Sequence, residues 1–313
     1  MTAFIARRLA TGVLLLLTVC TIAFYLLYLG SDSVAHAILG AEATKADIVR
    51  FNLSHGLDKP FIEQYWNWIT HAVRGDFGEP WTFTQSVTEA ITSRMGVTLI
   101  LASTALVFSA IVSVLLGVTA ALRGGWIDRV VQVLGLVGFA VPNFLLAFLL
   151  VAVLAVQHPI FNAVGWVPPS QDFGQFMKSA TLPVFALAFA GIASVSQQVR
   201  GAVKDTLQLD FVRTLRTGGL SHKRVVFKHA LRNAAAPALS ILGLQFVGLL
   251  GGAVIIEQIF AIPGLGQFSV SATAAKDLPA VMGIVTMTAL IVIVVNLIID
   301  LLSATLNPKV RLS

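Results

Sequence analysis

Long apolar runs constrain this chain most, because about 20 consecutive apolar residues are enough to cross the hydrocarbon core of a bilayer. Six such runs occur, and we expect each to form a membrane-spanning helix. They cover Leu9 to Leu29, Val97 to Leu122, Val130 to Val156, Leu182 to Val199, Pro237 to Ile256 and Ala280 to Leu302. The sequence therefore predicts an all-α membrane protein with six transmembrane helices.

Composition agrees with a bilayer environment, since 57% of the residues are hydrophobic and 12% are charged. The net charge of +6 could indicate nucleic-acid binding, but in a membrane chain an excess of Lys and Arg reflects topology more often. The single cysteine, Cys20, excludes an intrachain disulfide and a thiolate cluster. We expect Cys20 to pack inside the first helix, and we predict neither a metal site nor a nucleic-acid partner.

The distribution of Lys and Arg predicts the orientation. Fourteen of the 21 basic residues fall at the two termini, between the second and third runs, and in residues 200–236. The short loops on the other side hold two, and the long segment 30–96, which is weak evidence for orientation, holds five. Both termini are therefore predicted to be cytoplasmic. The first run could be a signal peptide, but its 21 residues exceed the usual apolar region of about 7 to 15, so we expect a retained helix.

These features divide the chain into an N-terminal helix (1–29), an extracytoplasmic segment (30–96), a membrane domain (97–303) and a cytoplasmic tail (304–313). In the outer segment, apolar residues recur at helical spacing from Pro60 to Arg74, which predicts an amphipathic helix. That helix could lie in the lipid headgroups or pack within a small outer cap. The other outer loops, Gln157 to Thr181 and Phe260 to Pro279, are predicted to be irregular turns.

The cytoplasmic loop, residues 200–236, is polar but keeps apolar residues at helical intervals. The pattern Leu207, Leu209, Val212 and Leu215 predicts a helix that the glycines at 218 and 219 terminate, and a second helix restarts near Val225. A short exposed helix with a sharp end suits docking into a groove on another protein. The alternative is that its eight basic residues only retain the loop in the cytosol.

The segment DFVRTLRTGGLSHKRVVFKHALRNAAAP resembles the coupling loop of binding-protein-dependent ABC transporter permeases for oligopeptides, dipeptides and nickel. Further blocks resemble the same family in the same order: LGVTAALRGGWIDRVVQVLGLVGFAVPNFLLAFLL, GGAVIIEQIFAIPGLGQFSVSA, KDLPAVMG and VNLIIDLLSATLNPKVR. The outer stretch GLDKPFIEQYWNWITHAVRGDFGE is similar to oligopeptide permease B-type subunits. The family signature begins Glu-Ala-Ala in the wider class and falls here on Arg213, Thr214 and Leu215.

The resemblance implies the type I ABC importer permease fold in a bacterial cytoplasmic (inner) membrane. It implies four kinds of partner: a second, C-type permease, two ATPase subunits or one fused ATPase, an extracytoplasmic substrate-binding protein, and lipid. ATP and Mg²⁺ would be bound by the ATPases, and no cofactor by this chain, whose sequence lacks a G-x-x-x-x-G-K-[ST] loop. The implied ATPase-coupling residues are Asp210, Arg213, Thr214, Leu215, Arg216, Gly219 and Leu220.

Polar residues within the runs are candidates for the substrate pathway, because polar groups at membrane depth usually face the bundle interior or water. They are Pro142, Asn143, Gln197, Gln198, Gln245 and Glu257. For Glu257 the alternative is anchoring of the following turn, and for the Pro142–Asn143 pair it is a packed kink.

Three other functions remain to be distinguished. An intramembrane hydrolase needs a nucleophile with a base, or metal ligands, at membrane depth. All six histidines fall in predicted loops or surface helices, so the sequence argues against such an enzyme. A passive channel would transport without nucleotide or an ATPase partner, and the predicted docking loop argues against that function. A nickel or other small-solute permease shares the coupling loop, and separating it from the expected peptide permease requires a substrate test.

Overall fold

Every regular element in the described part of the chain is helical. The computed structural model describes residues 2–30, 34–40, 42–221 and 224–306, and no strand occurs among them. The α-helices are α1 Thr2–Leu29, α2 Val34–Leu39, α3 Lys45–His55, α4 Phe61–Ala72, α5 Val87–Arg123, α6 Gly125–Ala140, α7 Asn143–Leu150, α8 Phe173–Gln208, α9 Asp210–Thr217, α10 Leu231–Ile259, α11 Leu265–Ala274 and α12 Leu278–Leu306. Two π-helical segments, Val151–Gln157 and Val225–Ala230, continue α7 and lead into α10.

The membrane-spanning helices match the predicted number. Five stretches are long and apolar enough to cross a bilayer: Ile5–Leu29, Val87–Arg123, Phe173–Gln208, Ile241–Ile259 and Leu278–Leu302. A sixth crossing results if the pair Gly125–Ala140 and Asn143–Gln157 is taken as one span. The all-α membrane fold predicted from the apolar runs is therefore confirmed.

In the third predicted span, Val130 to Val156, the interruption expected at Pro142 and Asn143 is a break between two helices rather than a kink within one. The chain bends by 99° between α6 and α7. Val141 is extended, with φ −90° and ψ 116°, and Pro142 precedes the first residue of α7. Proline lacks the N–H that an α-helix needs and disfavours helical backbone in the residue before it, so the Val141–Pro142 pair accounts for the break.

Several predicted helix boundaries also need correction. The fourth and fifth helices begin before the predicted starts at Leu182 and Pro237, because α8 begins at Phe173 and α10 at Leu231. The Asp172 carboxylate caps α8 by accepting from the Gln175 N–H at 3.0 Å. The loop predicted over residues 260–279 contains α11, and α5 begins ten residues before Val97. Residues 307–313 of the predicted tail lie outside the described residues.

The chain divides into two compact units. One comprises Thr98–Ile262 with the chain from Val294, and the other comprises Thr2–Val97 with Pro263–Ile293. In the first unit, Val118, Val195, Val199 and Val203 form a buried cluster. Val195, Val199 and Val203 lie in the part of α8 that leads into α9.

In the second unit, α4 packs against α1. The rings of Phe61, Tyr65 and Trp68 lie within 6 Å of the Phe24 ring, centroid to centroid. The Tyr65 hydroxyl lies 2.7 Å from the Thr21 Oγ1, whose own hydrogen goes to a backbone carbonyl, so Tyr65 is the donor. The predicted amphipathic helix is confirmed, and its aromatic face is packed within the unit.

Two other apolar residues of α4 are exposed. Ile62 is 78% exposed and Trp66 is 68% exposed, and Val73, just after the helix, is 83% exposed. The helix therefore carries a second apolar stripe, in addition to the face that contacts α1.

Candidate functional site

The predicted coupling loop, residues 200–236, contains the expected helix, glycine stop and restarted helix. Helix α8 continues to Gln208, and Leu209 is extended, with φ −67° and ψ 146°. Asp210 then opens α9, where an acidic residue in the first turn favours a helix. Neither the long continuation of α8 nor the break at Leu209 was predicted. The helix predicted through Leu207, Leu209, Val212 and Leu215 is therefore divided at Leu209.

Gly218 and Gly219 end α9 as predicted. Gly219 has a φ of +83°, a left-handed conformation that only glycine adopts readily. The Leu220 N–H donates to the Leu215 carbonyl at 3.2 Å, and the Gly218 N–H donates to the Thr214 carbonyl at 2.9 Å. These bonds satisfy carbonyls of the last turn that would otherwise lack partners. The result is a helix of eight residues with a sharp end.

The two faces of α9 differ in burial. Val212 is fully buried, Leu215 is half-buried, and α9 packs against α8 and the segment Val225–Ala230. On the other face, the side chain of Asp210 is 96% exposed and that of Arg213 is 77% exposed, with their charged atoms 3.6 Å apart. Thr214 and Gly219 are also exposed, and Leu220 is half-buried; the Arg216 side chain lies outside the described atoms. The exposed surface is thus mainly polar, with Phe211 also 36% exposed, and it is held on a packed base.

An ion cluster near this loop was missed by sequence reasoning. Asp128, in the first turn of α6, accepts from Arg200 Nε through Oδ1 and from Arg200 Nη2 through Oδ2, the latter at 2.8 Å. Lys204 Nζ donates to the same Oδ2 at 2.9 Å. The partners are 72 and 76 residues apart, so local spacing did not reveal the contact. The sequence offered one hint of this contact: Arg200 and Lys204 are four residues apart and so lie on one face of a helix.

Close packing extends this contact along α6 and α8. The Gln197 Nε2 donates to the Val131 carbonyl at 2.9 Å. A Cβ added at Gly135 would meet the Gln197 side chain, and one added at Gly138 would collide with the Cβ of Ala193. Because Gly138 pairs with Ala193 and Asp128 with Arg200, α6 and α8 run antiparallel. Glycine lets the two helices approach closely.

The candidate pathway residues occupy different surroundings. Gln197 lies in the α6–α8 contact, whereas Gln198 is exposed. Exposed Pro142 precedes α7, and the buried Asn143 Oδ1 has no hydrogen-bond partner in the structure. The pathway role of these residues stays a prediction.

The other two candidates lie in buried polar contacts. Gln245 Nε2 donates to Ser109 Oγ at 2.9 Å. Thr98 donates to Glu257 Oε1 at 2.6 Å, and Glu257 is fully buried. The Glu257 backbone carbonyl also accepts from the Ile262 N–H at 2.9 Å, but any residue could make this bond, so the role of the Glu257 side chain stays a prediction.

The described residues contain no group of three His, Cys, Asp or Glu side chains that could hold a metal ion. Cys20 is buried, and its Sγ lies 3.5 Å from the Thr286 hydroxyl. The chemistry of the site described above is therefore that of helix ends, hydrogen bonds and an ion cluster, in an arrangement suited to holding one helix against another.

Two family profiles match this chain. Residues 113–312 match the family described as binding-protein-dependent transport system inner membrane component, and residues 1–102 match its N-terminal membrane component family. The chain is 35% identical over 312 residues to a Brucella abortus (strain 2308) protein provisionally named a peptide transport system permease, with 99% of each chain covered. It is 34% identical over 310 residues to the glutathione transport system permease protein GsiC of Salmonella choleraesuis (strain SC-B67), with 98% of each covered.

Proposed function

Because this chain belongs to the family of binding-protein-dependent transport system inner membrane components, we propose that it forms half of the translocation pathway of an ATP-driven peptide importer. The chain is the permease component of an ABC transport system, with the type I permease fold. Relatives named for peptide and glutathione transport, each similar over nearly the full length, favour peptides over nickel as the substrate class.

The observation that carries the coupling role is α9. Its polar face is exposed, its other face is packed against α8, and Gly219 gives it a sharp end. An exposed helix fixed at its base can insert into a groove on a partner and pass the partner's movement to the helix that holds it. We propose that this partner is the ATPase, and that Asp210, Arg213 and Thr214 lie in the contact.

The chain's other partners follow from the same family membership. A binding-protein-dependent system requires an ATPase and a substrate-binding protein. We further propose a second permease of the C type and either two ATPase subunits or one fused ATPase. ATP and Mg²⁺ bind to the ATPase, so this chain needs no cofactor and catalyses no reaction itself. The absence of a G-x-x-x-x-G-K-[ST] loop from its sequence supports that division of labour.

The orientation is also a proposal. The chain is an inner membrane component, and we place both termini and α9 on the cytoplasmic side. This orientation is supported by the concentration of Lys and Arg in residues 200–236 and near the termini, because loops rich in Lys and Arg stay on the cytoplasmic side during membrane insertion. Residues 30–96 then lie outside, where a substrate-binding protein delivers its cargo.

Reconstitution tests this function directly. The full complex is placed in liposomes with its binding protein, and ATP hydrolysis and uptake are measured with short peptides, with glutathione and with nickel. The proposal predicts that peptides stimulate hydrolysis and accumulate inside, only when ATP is present. If nickel but not peptides stimulated ATP hydrolysis, the peptide assignment would be overturned. Uptake without ATP would overturn the proposal of an ATP-driven importer.

A further inference from the structure

The Asp128 cluster lies where the coupling helix joins the membrane helices. Arg200 and Lys204 occupy the last turns of α8, and Lys204 lies about 6 Å along the helix axis from Gln208, the final residue of α8. Leu209 is the single residue between α8 and α9. A displacement of α9 therefore reaches the Asp128 contact through Leu209 and about one turn of α8.

The geometry of the cluster resists sliding. Arg200 presents two nitrogens to the two Asp128 oxygens, a paired arrangement that fixes orientation as well as distance. The side chains of Asp128 and Arg200 are 13% and 20% exposed, and that of Lys204 is 35% exposed. Such shielding weakens the screening that makes surface ion pairs ineffective.

The charge balance makes Asp128 the member whose loss matters most. One carboxylate holds two cations, so removing its charge leaves Arg200 and Lys204 facing α6 without a counter-charge. The Gln197 bond and the close approach at Gly138 hold α6 and α8 together farther along. Among the described residues of α6 and α8, Asp128 alone makes an ionic contact between the two helices. This contact lies at the end of the pair that is nearest α9.

We propose that Asp128 is a positioning residue for energy coupling: its carboxylate makes α6 follow the end of α8 when α9 moves with the ATPase. The inference rests on the proposed coupling role of α9 and names the residue that transmits its movement. In this mechanism α6 and α8 move as one body during the transport cycle, and loss of the carboxylate lets α8 move without α6.

The first test is the number of peptides transported per ATP hydrolysed by the reconstituted complex. Asp128→Asn should keep ATP hydrolysis but lower this ratio about fivefold or more, the scale of ordinary coupling effects. Asp128→Glu keeps the carboxylate and should restore most of the ratio. The matched control is Asp205→Asn, which removes the same charge from an exposed position on α8 and should leave the ratio unchanged.

A purely structural role predicts a different result: hydrolysis and transport would fall together as less complex assembles, and the ratio would stay constant. A constant ratio in Asp128→Asn overturns the proposal. The double exchange Asp128→Arg with Arg200→Asp reverses the pair while Lys204 can still contact the new aspartate. The double variant should transport more peptides per ATP hydrolysed than Asp128→Arg alone. If the double variant assembles but its ratio is no higher, the mechanism is contradicted.

A distance measurement keeps the proposal testable if the charge variants do not assemble. Spin labels at exposed positions 129 and 208, introduced as Arg129→Cys and Gln208→Cys with Cys20→Ser, report the spacing between α6 and the end of α8. The spacing should be equal in the nucleotide-free and ATP-bound complex, and a change between the two states overturns the proposal. If the unsubstituted complex does not couple ATP to peptide uptake, the proposed function itself fails, whatever these variants show.

Discussion

The α1–α4 pair and the α6–α8 pair hold helices together by different means. Helix α4 is held by aromatic rings, because Phe61, Tyr65 and Trp68 all contact the ring of Phe24. Helix α6 is held by close approach at Gly138 and by the charges around Asp128. The first contact is broad and centred on one large side chain, whereas the second depends on small residues and an ion cluster at defined positions.

The difference suggests different uses. A broad apolar contact stabilises a fixed arrangement, since its energy comes from area removed from water. A contact built from glycines and a paired ion cluster fixes which residues lie opposite each other. We therefore expect the α1–α4 pair to be sensitive to loss of side-chain volume, and the α6–α8 pair to be sensitive to added side-chain volume.

The largest expected effect is at Phe24. Phe24→Ala removes a ring that is 2% exposed and contacts three other rings, so it should lower the stability of the purified chain by about 3–5 kcal/mol. Thermal unfolding in detergent measures the change. Phe173→Ala, at a ring that is 67% exposed, is the control. Equal effects from the two variants would show that aromatic packing does not hold α4.

A smaller effect is expected at Gly138. Gly138→Val should destabilise the purified chain by about 1–3 kcal/mol, because the new Cβ collides with the Ala193 Cβ, which is fixed to the backbone of α8. Gly248→Val is the matched control, since a Cβ there meets no atom within 4 Å. The same unfolding measurement applies, and a tolerated Gly138→Val would mean that α6 and α8 do not need this close approach.

The smallest expected effect is at Tyr65. Tyr65→Phe removes the hydroxyl that donates to Thr21 but keeps the ring against Phe24, so the cost should be about 0.5–1.5 kcal/mol. Tyr25→Phe, at a side chain that is 48% exposed, serves as the reference. A loss as large as that of Phe24→Ala would show that the hydrogen bond, rather than the rings, anchors α4.

Local sequence signals predicted the elements whose causes are local. Apolar runs located the spans, and glycines 218 and 219 located the end of α9, because chain hydrophobicity and a left-handed backbone are properties of a few neighbouring residues. The packed aromatic face of α4 was likewise visible as a helical repeat. Among the candidate sites, the helix, glycine stop and restarted helix of the proposed coupling loop could be predicted in this way.

Features that depend on distant contacts could not be predicted. Asp128 reads in the sequence as one acidic residue among basic neighbours, and its role appears only when α8 brings Arg200 and Lys204 to it. The 99° bend had a local cause in Pro142, but sequence alone does not separate a kinked helix from a broken one. Burial of Glu257 beside Thr98 likewise required the packed helices.

The most direct test of the account is photo-cross-linking in the assembled complex. A benzoylphenylalanine replaces Thr214 on the exposed face of α9 in one variant, and Val73, which is 83% exposed after α4, in another. The account predicts a cross-link to the ATPase from position 214 and none from position 73. Absence of the ATPase cross-link at 214, or its presence at 73, would contradict the assignment of α9 as the coupling helix.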